Sequence, residues 1–140
     1  MTTAIVDTNF LVSLANTNEA EHEACVETAQ TIRERLVVPH VVLPEAAYLI
    51  DKYLGHRAMQ AFVMQMSQPA WTLEPLQEND MPRMAAVLDK YHDQRLDFTD
   101  AAIVAIAERL NVRRILTLDR RHFSVIRPQH CAAFELLPRG

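Results

Sequence analysis

Between Ala101 and Ala107 the chain reads Ala-Ala-Ile-Val-Ala-Ile-Ala, seven residues that leave no polar face on any helix they form. A helix that is apolar all round is stable in water only when it is covered on most sides. The spacing therefore predicts a helix from about Phe98 to Leu110 at the centre of the fold. Seven residues fall far short of the ~20 needed to span a bilayer, so no membrane association is expected. A chain of 140 residues has the length of one ordinary domain, and residues 1–140 are read as a single domain without a linker. The start of the chain lacks a basic stretch leading into an apolar one, which predicts a cytoplasmic protein.

Around this central helix, short apolar runs alternate with helical patterns. Thr3 to Val6 reads as a buried strand ending at Asp7. A surface helix is expected from Asn18 to about Arg35, a second strand around Leu36 to Val41, and a helix opened by Pro44-Glu45 and closed by Gly55. His56 to Gln68 carries Met59, Phe62, Val63 and Met66 at helical spacing, and Trp71 to Leu76 reads as a third strand. Asn79-Asp80-Met81-Pro82 signals a helix start, with a capping side chain before the proline. Arg113 to Asp119 is a further strand ending in an acid, and Ala132 to Leu137 a last, edge strand. Such alternation implies a mainly parallel sheet between two helix layers.

In open sheets of this kind, binding and chemistry gather beyond the C-terminal ends of the strands. Four acids fall there: Asp7 after the first strand, Glu45 at the helix after the second, Asp100 in the first turn of the central helix, and Asp119 after the following strand. Singly each has an ordinary explanation as a helix-turn acid, cap or surface ion pair. Together they place several negative charges on one rim, where repulsion raises pKa values unless a cation sits among them. Oxygen ligands without a thiolate or histidine pair suit Mg2+ or Mn2+ rather than zinc. Asp97 is placed to cap the central helix, three residues before Asp100. Thr117 shares the strand face of Asp119 and can hydrogen-bond a ligating carboxylate.

These residues carry a resemblance. Ile5-Val6-Asp7-Thr8-Asn9, Pro44-Glu45, Leu96-Asp97-Phe98-Thr99-Asp100-Ala101 and Ile115-Leu116-Thr117-Leu118-Asp119-Arg120-Arg121-His122-Phe123, in that order over nearly the whole chain, together resemble a PIN domain of the VapC-type toxins. The resemblance implies a five-stranded parallel α/β/α sandwich, with Asp7, Glu45, Asp100 and Asp119 as catalytic metal ligands and Asn9 and Thr117 in support. It further implies Mg2+- or Mn2+-dependent hydrolysis of RNA, homodimerisation, and a cognate antitoxin that plugs the acidic cleft.

Other features narrow the field. Gly55 and Gly140 are the only glycines, so neither a P-loop nor a dinucleotide fingerprint can be written. The six histidines are dispersed and read as incidental. Cys25 and Cys131 lack metal-ligand spacing and are expected as free, buried thiols. With 14 Lys and Arg against 18 Asp and Glu, the net charge of -4 excludes nucleic-acid binding by bulk attraction, so any such contact must be local. The run Arg120-Arg121-His122 reads as a solvated charge run before a phosphate grip. Two rival functions remain. A phosphoacceptor signalling domain needs an acid pair at the first strand end and a late lysine, which this chain lacks. A non-catalytic PIN-like binding module would use the Met59, Phe62, Val63 and Met66 face.

Overall fold

The computed structural model describes residues 2–139. Among them, five strands form one sheet: β1 (Thr3–Val6), β2 (Arg35–Pro39), β3 (Trp71–Glu74), β4 (Arg114–Leu116) and β5 (Glu135–Leu137). The spatial order is β3-β2-β1-β4-β5, and every neighbouring pair is parallel. The seven helices are α1 (Thr8–Ala15), α2 (His22–Thr31), α3 (Val42–Leu54), α4 (His56–Gln65), α5 (Asp80–Lys90), α6 (Phe98–Leu110) and α7 (Arg120–Val125), with a 3-10 turn at His92–Gln94. The chain builds outward from β1 to β2 and β3, then returns to the other side of β1 for β4 and β5. Right-handed crossovers in those two directions put α1 to α4 on one face of the sheet and α5 to α7 on the other. The expected α/β/α sandwich with a parallel five-stranded sheet is thus the observed architecture. The reversal of direction falls between β1 and β4, where the strand ends part and leave a crevice. This order differs from the 2-1-3-4-5 order of receiver-like domains, so the phosphoacceptor reading is set aside.

The sheet core is made by strands buried on both faces. Ala4, Ile5 and Val6 of β1, Val37 and Val38 of β2, and Ile115 and Leu116 of β4 have no exposed surface. Helix α6 has the predicted bounds, and its Ala101 to Ala107 run is buried throughout. Each fully buried Ile of that run contributes roughly 1.5–3 kcal/mol of transfer free energy, so α6 anchors the second layer. Gly55 ends α3 with φ 98°, a left-handed conformation that favours glycine, and α4 starts directly after it.

Several expectations need correction. Helix α1, absent from the sequence-based pattern, begins one residue after β1 because Asp7 caps it, accepting from the Thr8 N–H at 2.7 Å. Its Phe10, Leu11 and Val12 run is too short for periodicity to separate helix from strand. Asn79 caps α5 by position but makes no side-chain hydrogen bond; Asp80 instead accepts from the Gln77 N–H at 2.9 Å. Helix α2 is shorter than the expected Asn18 to Arg35, since Arg35 already belongs to β2. Cys25 and Cys131 are both free, but only Cys25 is buried. Phe62 of α4 and Met66 at its C-terminal cap enter the core, whereas Val63 is 56% exposed.

Candidate functional site

Parallel pairing sets the first contact of the site. Val6 pairs with Leu116, so Asp7 and Thr117 leave the ends of β1 and β4 side by side. The Asp7 N–H donates to the Leu116 carbonyl at 2.9 Å, and the Thr117 hydroxyl donates to Asp7 Oδ2 at 2.8 Å. Thr117 Oγ1 in turn accepts from the Asp119 N–H at 2.9 Å, so one hydroxyl ties together the chain around both acids. Asn9, in the first turn of α1, accepts from the Leu118 N–H at 2.9 Å and fixes the loop that carries Asp119. Asp119 caps α7, accepting from the His122 N–H at 3.0 Å.

Helix α6 delivers the third acid from the other side. Asp97 and Asp100 form a reciprocal capping box, Asp97 accepting from the Asp100 N–H at 2.8 Å and Asp100 from the Asp97 N–H at 3.1 Å. The expected capping role of Asp97 is therefore observed. It holds Asp100 at the head of a buried helix.

Asp7, Glu45, Asp97, Asp100 and Asp119 all line one cleft of about 190 Å³, with Asn9, Thr99, Arg95 and His122 among its other walls. Asp7 and Asp100 are only 5% and 7% exposed. Burial, opposed by the hydrogen bonds from Thr117 and Thr8 and reinforced by the charges of Asp119 and Asp97, pushes the Asp7 carboxyl up to about 6. Burial, with Asp97 and Asp7 nearby and His122 partly offsetting them, raises Asp100 to about 7. Among the described residues no lysine or arginine lies within ion-pair distance of Asp7, Asp100 or Asp119.

Three groups can share one ion. Asp100, Asp119 and His122 each offer a ligand atom, and these atoms lie within 4.8 Å of one another. The His122 Nδ1 atom is 2.7 Å from Asp119 Oδ2 and 3.5 Å from Asp100 Oδ2, yet it has no hydrogen bond of acceptable geometry. Two buried carboxyls with raised pKa values, an orphaned imidazole nitrogen and no lysine or arginine paired to the acids make a donor set that fits a divalent ion. The oxygen-rich set suits Mg2+ or Mn2+, with one nitrogen that the sequence-based expectation of oxygens alone omitted. His122 was there read as incidental; the available signal was its place three residues after a helix-capping Asp, in the turn that returns its side chain to Asp119. Glu45 stands apart, exposed in the first turns of α3 and without a hydrogen bond or ion pair among the described residues. Arg95 and Thr99 had no sequence signal.

A larger groove of about 400 Å³, lined by Leu11, Phe62, Met66 and Trp71 among others, contains no titratable side chain. That groove therefore offers no acid or base for hydrolytic chemistry.

Residues 4–127 match the family model described as PIN domain, and the chain belongs to that family. Within it, the chain is of the VapC type: it is 36% identical over 134 residues to Ribonuclease VapC26 of Mycobacterium tuberculosis, covering 96% of this chain and 99% of that protein. The fold also matches the crystal structure of Mycobacterium tuberculosis VapC20, a Sarcin-Ricin loop cleaving toxin, with a TM-score of 0.75 at 20% identity over 80% of this chain and 86% of that one. VapBC2 from Rickettsia felis, bound to a DNA fragment from its promoter, matches with a TM-score of 0.70 at 15% identity over 96% and 98% of the two chains.

Proposed function

We propose that this protein is a Mg2+- or Mn2+-dependent endoribonuclease, a single PIN nuclease domain over residues 1–140 and the toxin of a type II toxin–antitoxin pair acting in the cytoplasm. One observation carries the reading: Asp7, Asp100 and Asp119, distant in sequence, meet in one cleft with no lysine or arginine in ion-pair distance among the described residues. The likeness to Ribonuclease VapC26 over nearly the full chain names RNA as the substrate class.

In this reading Asp100, Asp119 and His122 hold the ion, with Asp7 beside them. A divalent ion held there supplies Lewis-acid charge for phosphodiester hydrolysis. The chain itself supplies position. Thr117 and the Thr8 N–H fix both oxygens of Asp7, Asp97 fixes Asp100 on α6, and Asn9 fixes the Leu118 backbone next to Asp119. Glu45, which no hydrogen bond restrains, is the acid free to orient the attacking water. A cognate antitoxin as partner is supported by fold neighbours that are VapBC complexes, from Rickettsia felis and Salmonella typhimurium. A homodimer is supported by the exposed apolar side chains Val63 and Met64 on α4. No described helix is long and apolar enough to cross a membrane.

The test is cleavage of a mixed cellular RNA pool by wild-type and Asp100→Asn protein, each with Mg2+, Mn2+ or EDTA. Metal-dependent cutting by the wild type alone is expected, with the variant reduced more than about 100-fold. Folded, antitoxin-free wild type that cuts under none of these conditions overturns the reading.

A further inference from the structure

A chain with a net charge of -4 and a cleft walled by acids repels a polyanion, so an RNA strand needs a local cation to approach it. Arg95 is the one lysine or arginine in the cleft wall. It makes no ion pair or side-chain hydrogen bond among the described residues, although five acids share that wall. Its guanidinium is exposed and uncommitted.

The other arginines near the site are otherwise placed. Arg120, next to Asp119, donates to the carbonyls of Pro138 at 2.8 Å and Leu136 at 3.4 Å, strapping α7 to the C-terminal strand. Arg121 does not line the cleft. The backbone at Arg95 is also informative. With φ 55° and ψ 44° it is left-handed, directly after the 3-10 turn and two residues before the α6 cap. An arginine costs about 1 kcal/mol or more in that conformation, where glycine or asparagine sits more readily. The chain carries the costlier residue at a position that lines the cleft.

We propose that Arg95 grips a phosphate of the RNA strand beside the acid cluster, offsetting its negative field and setting the strand's position. The assignment rests on RNA as the ligand, as proposed above. A guanidinium suits this task because its forked donors match phosphate oxygens in pairs.

The test separates binding from cleavage. A fluorescein-labelled single-stranded RNA of mixed sequence, about 20 nucleotides long, is titrated by anisotropy with full-length Asp100→Asn protein in Mg2+ across a KCl series. Arg95→Asn is added to this background because asparagine tolerates the left-handed backbone, and Arg113→Asn removes an equal charge at the opposite end of β4. Arg95→Asn is expected to weaken binding about tenfold, the loss of one charged hydrogen-bonded contact. It should also flatten the slope of log K against log salt by about 0.7. Arg95→Lys should restore the slope, and Arg113→Asn should change binding less than about twofold. An unchanged Kd and slope in Arg95→Asn, or an equal loss in Arg113→Asn, overturns the assignment. Cutting by wild-type protein is read in a separate assay, so an Arg95 effect without cleavage sinks the nuclease reading and keeps the phosphate grip.

Discussion

The two ends of helix α6 treat buried carboxylates in opposite ways. At its C-terminal end Asp80, 3% exposed, receives Arg109 Nε at 3.0 Å and Nη2 at 3.1 Å, and Glu108 pairs with Arg83. Burial alone would raise Asp80, but the hydrogen bonds from Arg109 and the Gln77 N–H, with the Arg109 charge, hold it below the usual carboxylate range. At the N-terminal end Asp7 and Asp100 are nearly as little exposed, have no arginine, and are raised to about 6 and about 7. All three carboxylates are shielded from solvent, but Asp7 and Asp100 lie deeper in the fold. The partner differs as well: a fixed guanidinium offsets the charge of Asp80, and Asp7 and Asp100 have none.

Breaking the paired end should have the largest effect. Arg109→Ala strands Asp80 and removes the partner of Glu74, and loss of one member of a buried pair costs about 3–5 kcal/mol. Urea unfolding should show that loss, while the fraction still folded keeps its metal-dependent activity. A loss below about 1 kcal/mol would mean that the paired end is only surface decoration.

The pH dependence sharpens the contrast next. For Asp7 and Asp100 the folded pKa lies above the ordinary aspartate value of 3.8, so the folded state holds more protons than the unfolded one between about 4 and 7. Stability without metal should fall as pH rises through that window, by on the order of 3 kcal/mol for the Asp7 shift from 3.8 to about 6. Asp80 has the opposite sign: its contribution is present above 3.8 and is lost as pH falls through its lowered pKa. In EDTA the protein should thus be more stable at pH 5 than at pH 8, and Mg2+ should reverse much of that difference. Denaturant melts at both pH values decide it; greater stability at pH 8 in EDTA would contradict the account of the rim acids.

A smaller effect is expected from Thr117→Val, which keeps the shape of a fully buried side chain but removes the donor to Asp7 and the acceptor for the Asp119 N–H. Residues that orient ligating groups typically contribute 10–100-fold in metal affinity. A tenfold or greater drop in Mn2+ affinity with the fold retained is the expected outcome. Unchanged affinity would reduce Thr117 to an ordinary strand residue.

The acid rim was legible in the sequence and the paired end was not, and the illegible part has a physical pattern. Strand-end acids such as Asp7 and Asp119 stand out because an apolar run stops at a charge, and α6 stands out because its apolar run has no polar face. The Asp97–Asp100 capping box is a local pattern with a fixed spacing, and it was readable for that reason. His122 joins the site through the curl of α7 after Asp119, a local spacing that could have been read, whereas Arg95 joins it through its own left-handed backbone between a 3-10 turn and α6, which leaves no periodic trace. The pairing of Asp80 with Arg109, 29 residues later, is invisible for the same reason. Asn79 shows the converse: the local signal marks the start of α5, yet no side chain caps that helix, and Asp80 is engaged by Gln77 and Arg109 instead.

The most direct test of the central claim, that the unpaired acids hold a divalent cation, is calorimetric titration of Mn2+ into purified wild-type and Asp100→Asn protein at pH 8. Saturable binding to the wild type, weakened at least about tenfold in Asp100→Asn and abolished by EDTA, is the expected result. Equal binding to both proteins, or none to a folded wild type, would contradict it.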